Sequence, residues 1–263
     1  LHPVLALVIS MLIGVVLGAI NGLIVAYGGV PSIITTLGTL ALFRVVLVEF
    51  SGARTVTTAD LPDWMNDVPS ATLVSAGGYD LRLMVGIALV VVVLGQLTLR
   101  YLPFGRRLYA IGSNPDAART AGLPVKRDVF LAFTISGMLA GLAGFMFLVR
   151  FGNITVTAAQ GLELQVVAAV VVGGVNIFGG SGSMIGALLG VLMIEILQQS
   201  LLRWAGISEF VKDAILGLLI LVAITADAVI LGRLREMWVR VRRRDRELAQ
   251  GVSLDEGGVV HGA

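Results

Sequence analysis

Few side chains in this sequence can make or break bonds. Its 263 residues include no cysteine and only two histidines, His2 and His261, one near each end. Thiolate chemistry and cysteine-held metals are therefore excluded. A buried histidine dyad or histidine metal cluster is not expected. No acid, base, nucleophile or metal set converges, so an enzyme reading ranks last. What remains is a set of residues placed inside or beside apolar stretches: Asn21, Thr36, Arg44, Glu163, Gln165, Asn176, Phe178 and Glu195. The chemistry such a set can do is non-covalent, a polar lining for the passage of a hydroxyl-rich solute. Gln198 and Gln199 lie in the same stretch as Glu195. An ion pair between Arg44 and either Glu163 or Glu195 is the structural alternative. The spacing matches neither a proton-relay ladder nor an arginine-rich voltage sensor.

The surrounding elements decide what those residues can reach. The chain is 57% hydrophobic and 14% charged, with a mean hydropathy of +0.94. Soluble domains carry ~25% charged residues. The expected fold class is all-α, a polytopic transmembrane helix bundle. Apolar segments fall at Val4–Tyr27, Ile33–Phe50, Leu81–Tyr101, Val129–Val149, Leu164–Phe178, Met184–Leu202 and Phe210–Leu231. Leu164–Phe178 is too short for a straight span of ~20 residues. A charge within a span costs at least ~3 kcal/mol on insertion scales and normally faces the bundle interior or water.

Orientation follows the positive-inside rule. Arg100, Arg106, Arg107, Arg119, Lys126 and Arg127 crowd the third connection, and the tail 233–263 carries seven arginines between Arg233 and Arg246. The loop 51–80 holds Arg54 against Asp60, Asp63, Asp67 and Asp80. The basic loop 102–127 and the tail are thus expected in the cytoplasm, and the acidic loop outside. The permease-like body would occupy 1–232. The tail reads as a juxtamembrane segment that touches anionic lipid, with its last residues disordered. Val4 then starts outside. With Leu rather than Met at position 1 and no signal-peptide pattern, an odd number of earlier spans is expected.

Small residues recur at helical spacing: Gly14, Gly18 and Gly22; Ser136, Gly137, Ala140, Gly141 and Gly144; Gly182, Gly186 and Gly190. In a bilayer such stripes let helix backbones approach closely, so a compact bundle is expected. The run GGVNIFGGSGS (173–183) lacks the Lys-Ser/Thr ending of a phosphate loop. A broken helix or tight turn between apolar segments is the better reading, with Asn176 and Phe178 beside a cavity.

The stretch YAIGSNPDAARTAG (109–122) interrupts the apolar pattern. Asn114 is a preferred N-cap, Pro115 suits the first helical position, and Asp116 favours the first turn. Ala117 and Ala118 are strong helix formers. Gly122 and Pro124 end the helix. Pro115–Ala121 is about two turns, too short to be stable alone in water. It therefore needs a supporting surface, and its alanine face suits docking into a partner's groove.

Three segments carry a resemblance. FGRRLYAIGSNPDAARTAGLPVKR is similar to the cytoplasmic coupling loop of ATP-binding-cassette (ABC) import permeases of the ribose, xylose, rhamnose and autoinducer-2 type, within the broader branched-chain amino acid and sugar permease family. NGLIVAYGGVPSIITTLGTLALFR and GLELQVVAAVVVGGVNIFGGSGSMIGALLG resemble two further segments of that family, in the same order. Val45 departs from the pattern, which has Gly there, and upstream spans are expected to be missing. The resemblance implies a subunit of about ten helices in the bacterial inner (plasma) membrane, its C-terminus cytoplasmic. It implies a second permease copy or paralogue, two cytoplasmic ABC ATPase subunits, and a periplasmic or tethered solute-binding protein. The chain would bind no cofactor, since ATP and Mg sit on the partner ATPase, and nucleic acid is not a partner. The implied ATPase-coupling residues are Gly105, Arg106, Arg107, Ala110, Gly112, Asn114, Pro115, Ala117, Ala118 and Gly122. A bulky charge at Gly112 or Ala118 should uncouple docking. The other readings are a branched-chain amino acid permease, an ion-coupled carrier using Glu163 and Glu195, and a scaffold without transport.

Overall fold

The computed structural model describes residues 2–76, 79–177, 179–204, 214–215 and 217–218. Phe178, the apolar segment Phe210–Leu231 apart from four residues, and the arginine-rich tail lie outside the described residues. The chain divides into two compact units, Leu1–Leu192 and Met193–Ala263.

Among the described residues, four helices are long and apolar enough to cross a membrane: α1 (Pro3–Ala26), α2 (Ser32–Ser51), α4 (Leu83–Tyr101) and α7 (Val125–Phe151). Each matches a segment read from hydropathy, within four residues at either end. α1 starts on Pro3, where a missing N–H is harmless. α2 and α7 stop at Gly52 and Gly152, both left-handed with φ of 59° and 60°.

The glycine stripes of α1 and α7 meet each other. A Cβ added at Gly18 would sit 2.5 Å from the Phe133 carbonyl oxygen and 2.9 Å from the Gly137 Cα. Gly14 packs on the Gly137 carbonyl, Gly22 on Phe130, and Gly141 on the Ser10 carbonyl. The register runs antiparallel, backbone on backbone. Tyr27 continues it at the basic end, edge-on to Phe130 at 6.3 Å between centroids and under the Lys126 ammonium.

At the acidic end the loop after α2 is built rather than loose. It holds a capped turn at Thr58–Asp60, a short α3 (Asp63–Asp67) and a hairpin of β1 (Thr72–Ala76) and β2 (Tyr79–Arg82). The strands are antiparallel, with Ala76 opposite Tyr79 and an irregularity between Thr72 and Val74. A bridge between Val56 and Ile154 brings this loop to the end of α7, as expected if both lie on one side of the membrane.

α8 (Leu162–Val172) has 11 residues, about 16 Å of helix against a hydrocarbon core of about 30 Å. It is therefore a half-helix, as its length suggested. The chain turns back through left-handed glycines at 174, 179 and 180 and enters α9 (Met184–Trp204). Gly173 packs on the Gly186 carbonyl and Gly190 on the Ala169 carbonyl. α8 and the start of α9 thus form a hairpin with touching backbones.

Candidate functional site

The polar stretch between α4 and α7 is two helices, where the sequence suggested one. α6 (Pro115–Thr120) is the expected element, and the Asn114 side-chain oxygen accepts hydrogen bonds from the Asp116 and Ala117 amides at 3.1 and 2.9 Å. It ends at Gly122, with φ of 79°. The Gly122 amide donates to the Arg119 carbonyl and the Leu123 amide to the Ala118 carbonyl, both at 3.0 Å. This paired pattern closes the orphan carbonyls of a helix end.

The addition is α5 (Pro103–Ser113), which the loop reading of 102–127 did not contain. Glycine weakens an exposed helix, and this one contains Gly105 and Gly112. Here both glycines are packing positions. A Cβ at Gly105 would meet the Thr98 carbonyl oxygen at 2.5 Å. One at Gly112 would meet the Gly180 amide nitrogen at 2.5 Å.

These contacts correct the expectation for two coupling residues. Gly112 faces the glycine turn before α9. Ala118 is buried with Ile111 and Val125, flanked by Leu123 and Val129. Ala118 is buried and Gly112 packs on the Gly180 backbone, so a bulky charge at either position would disrupt the fold first. Asn114, Pro115, Asp116, Ala117, Arg119 and Thr120 form the exposed surface of α6, and Arg106 and Ala110 are exposed on α5. The alanine face splits, Ala118 inward and Ala117 outward.

Arg107 is the clamp. Its Nε and Nη2 donate to the two carboxylate oxygens of Asp128 at 2.6 and 3.0 Å. The Asp128 side chain is fully buried and the arginine about one-third exposed. The planar fork matches the carboxylate geometry, and the hydrogen bonds to Asp128 raise the arginine's pKa further above its usual value. Asp128 was missed from sequence. Its signal was a lone acid in the first turn of a helix that opens among basic residues. Tyr109 adds a second tie, donating its hydroxyl to the Gly182 carbonyl at 2.6 Å.

Of the membrane candidates, the structure brings Asn21 and Thr36 together. They line a cavity of about 520 Å³ between α1, α2 and α7, with Ser10, Phe43, Phe133 and Ser136. The Asn21 Oδ1 is buried with no hydrogen-bond partner among the described residues. The Thr36 hydroxyl donates back to the Ser32 carbonyl at 3.0 Å. The other candidates lie elsewhere. Arg44 is half-buried on α2 and makes no ion pair among the described residues, so the expected pairing with a carboxylate is not formed there. Glu163 is exposed in the first turn of α8, and Gln165 is half-buried. Asn176 is half-buried in the glycine turn, its amide donating to the Ser181 carbonyl at 3.0 Å. Glu195 is exposed on α9, in the second unit.

Residues 1–224 match the family described as branched-chain amino acid transport system / permease component. The chain belongs to this family. The autoinducer 2 import system permease protein LsrC of Enterobacter sp. (strain 638) is 35% identical over 243 residues, 90% of this chain and 66% of the relative. The ribose import permease protein RbsC of Haemophilus influenzae is 35% identical over 227 residues, 85% of this chain and 68% of the relative. The probable ABC transporter permease protein y4mJ of Sinorhizobium fredii is 35% identical over 222 residues, 84% of this chain and 65% of the relative. The chain thus spans just under two thirds of the LsrC and y4mJ relatives. No solved structure matches. This permease-family chain is a multi-pass helical membrane protein.

Proposed function

We propose that this chain is the transmembrane subunit of an ABC importer that carries a sugar or sugar-like solute across the bacterial inner membrane. The observation that carries the reading is α6: a capped two-turn helix with an exposed outer surface, joined to α5, which is clamped to a membrane helix by Arg107–Asp128. A helix this short holds its shape only when anchored. Anchored and exposed, it can receive a push from a partner and pass it on. That partner is a pair of cytoplasmic ATPase subunits, which hold the ATP and Mg. The basic end of the bundle and the C-terminal tail then face the cytoplasm, in accord with the charge rule.

The solute class is taken from relatives named for import of ribose and autoinducer 2. A second permease copy or paralogue and an external solute-binding protein complete the assembly. The cavity holding Asn21 and Thr36 is the candidate stretch of the pathway. Its walls are mainly apolar with a few polar groups, as in solute sites generally. The carrier alternative finds no support in Glu163, which stands exposed.

The test uses the chain co-expressed with an ABC ATPase subunit and reconstituted in vesicles with a solute-binding protein for each candidate solute. Uptake of labelled ribose, autoinducer 2 and leucine is compared with and without ATP. ATP-dependent uptake of either of the first two is expected. Uptake of leucine alone would move the chain to the amino acid branch, and uptake driven by an ion gradient without ATP would sink the importer reading. Ala117→Trp should abolish ATPase copurification while leaving the melting temperature unchanged. Ala118→Trp should lower the melting temperature, because that position is 5% exposed.

A further inference from the structure

The glycine run before α9 has so far had no role beyond turning the chain. Its contacts are specific and point in two directions. On one side is α5. The Tyr109 hydroxyl reaches across 73 positions of sequence to the Gly182 carbonyl at 2.6 Å. Three residues on, the Gly112 backbone lies against Gly179 and Gly180: a Cβ at Gly179 would be 2.9 Å from the Gly112 carbonyl oxygen. No side chain lies between the two backbones to absorb a displacement. On the other side, the Met184 amide donates to the Gln96 side-chain oxygen of α4 at 3.0 Å, and the Gly186 amide to the Ser183 hydroxyl at 3.0 Å. Beyond them, the Gly173–Gly186 and Gly190–Ala169 approaches bind α8 to α9.

We infer that segment 179–183 is the element through which movement of α5 and α6 reaches the α8–α9 hairpin, with Tyr109 as the positioning residue that joins them. The inference rests on the reading of α6 as an ATPase contact and adds the route by which that contact reaches the membrane interior. Coupling between sites travels through contiguous packed contacts, and each step here is visible. Ile111, Ala118 and Val125 tie α6 to α5 and to the start of α7. Tyr109 and Gly112 tie α5 to the glycine segment, and the segment continues directly into α9. Close-packed backbones transmit displacement instead of absorbing it. The half-helix α8 is too short to span a hydrocarbon core by itself. A hairpin of that kind can shift without dragging a full span.

The experiment follows hydrogen–deuterium exchange in the reconstituted complex of this chain with its co-expressed ATPase, with and without MgATP and vanadate. In the wild type, trapping should change exchange in both 103–120 and 179–190. In Tyr109→Phe, which loses one hydroxyl and keeps the ring, the change in 103–120 should persist while that in 179–190 falls at least threefold. Gly112→Ala, which pushes the segment away by sterics, should do the same. A merely structural Tyr109 would alter exchange before nucleotide is added and leave the response intact. A wild-type-sized response of 179–190 in Tyr109→Phe overturns the inference, as does a wild type whose 179–190 never responds. A wild type in which 103–120 itself stays silent removes the ATPase contact as well, so the two failures are distinguishable.

Discussion

At the scale of single residues, the Arg107–Asp128 pair decides how α5 sits on α7. Breaking a buried pair by removing one partner strands the other charge, whereas replacing both with apolar side chains is often neutral or better. Arg107→Ala should therefore lower the melting temperature of the purified permease, because it leaves the Asp128 carboxylate buried without a partner. The double variant Arg107→Met with Asp128→Leu should recover most of that loss. If the double variant melts lower than Arg107→Ala, the pair is a stabilising contact in its own right and not a geometric clamp. The ion pair at Arg119–Asp116 is different in kind. It spans 3.5 Å between exposed side chains, and exposed pairs contribute little.

At the scale of elements, the α1–α7 seam is held by what is missing from it. Without a hydrophobic drive between helices in lipid, close backbone approach and its dispersion contacts must supply the association. Gly18→Ala should destabilise by about 1–3 kcal/mol, the range for overpacking a tight contact, since its new Cβ would press on the Phe133 carbonyl and Gly137. Gly38→Ala is the control. Nothing lies within 4 Å of its Cβ direction, so it should be neutral or slightly stabilising. Thermal melts of both variants in one detergent separate the two cases. Equal melting temperatures would show that the seam tolerates a methyl and that the stripes are not contact positions.

At the scale of the whole molecule, the question is where the solute goes. Asn21 Oδ1 is a buried polar atom without a hydrogen-bond partner among the described residues, a state that costs about 1–3 kcal/mol. A structural role would satisfy it, while a role in solute passage leaves it available. Asn21→Leu should therefore reduce uptake by tenfold or more, yet leave ATPase copurification intact and the melting temperature unchanged or raised. Unchanged uptake in this variant would place the pathway elsewhere in the assembly. The residues proposed to face the solute and those proposed to face the ATPase fall into different parts of one unit, and α7 contributes to both. Its first turn carries Asp128, and its glycine stripe borders the cavity.

Several features could be read from the sequence because they depend on local rules. Apolar length marks α1, α2, α4 and α7, and the Asn-Pro-Asp start with its Gly stop marks α6. The shortness of Leu164–Phe178 already implied an element too short for a straight span. The glycine stripes announced close packing through their spacing alone. Tertiary structure decided the pairings. Gly14 and Gly18 facing Gly137, Gly112 facing Gly180, and Arg107 facing Asp128 all join positions at least 21 residues apart. The helix α5 escaped notice for the same reason: its glycines look like breakers until the backbones they admit are in place. Local propensity acts over a few residues, while the identity of a packing partner depends on the path of the whole chain. The direction of Ala118, inward rather than toward a partner, could therefore come only from the fold.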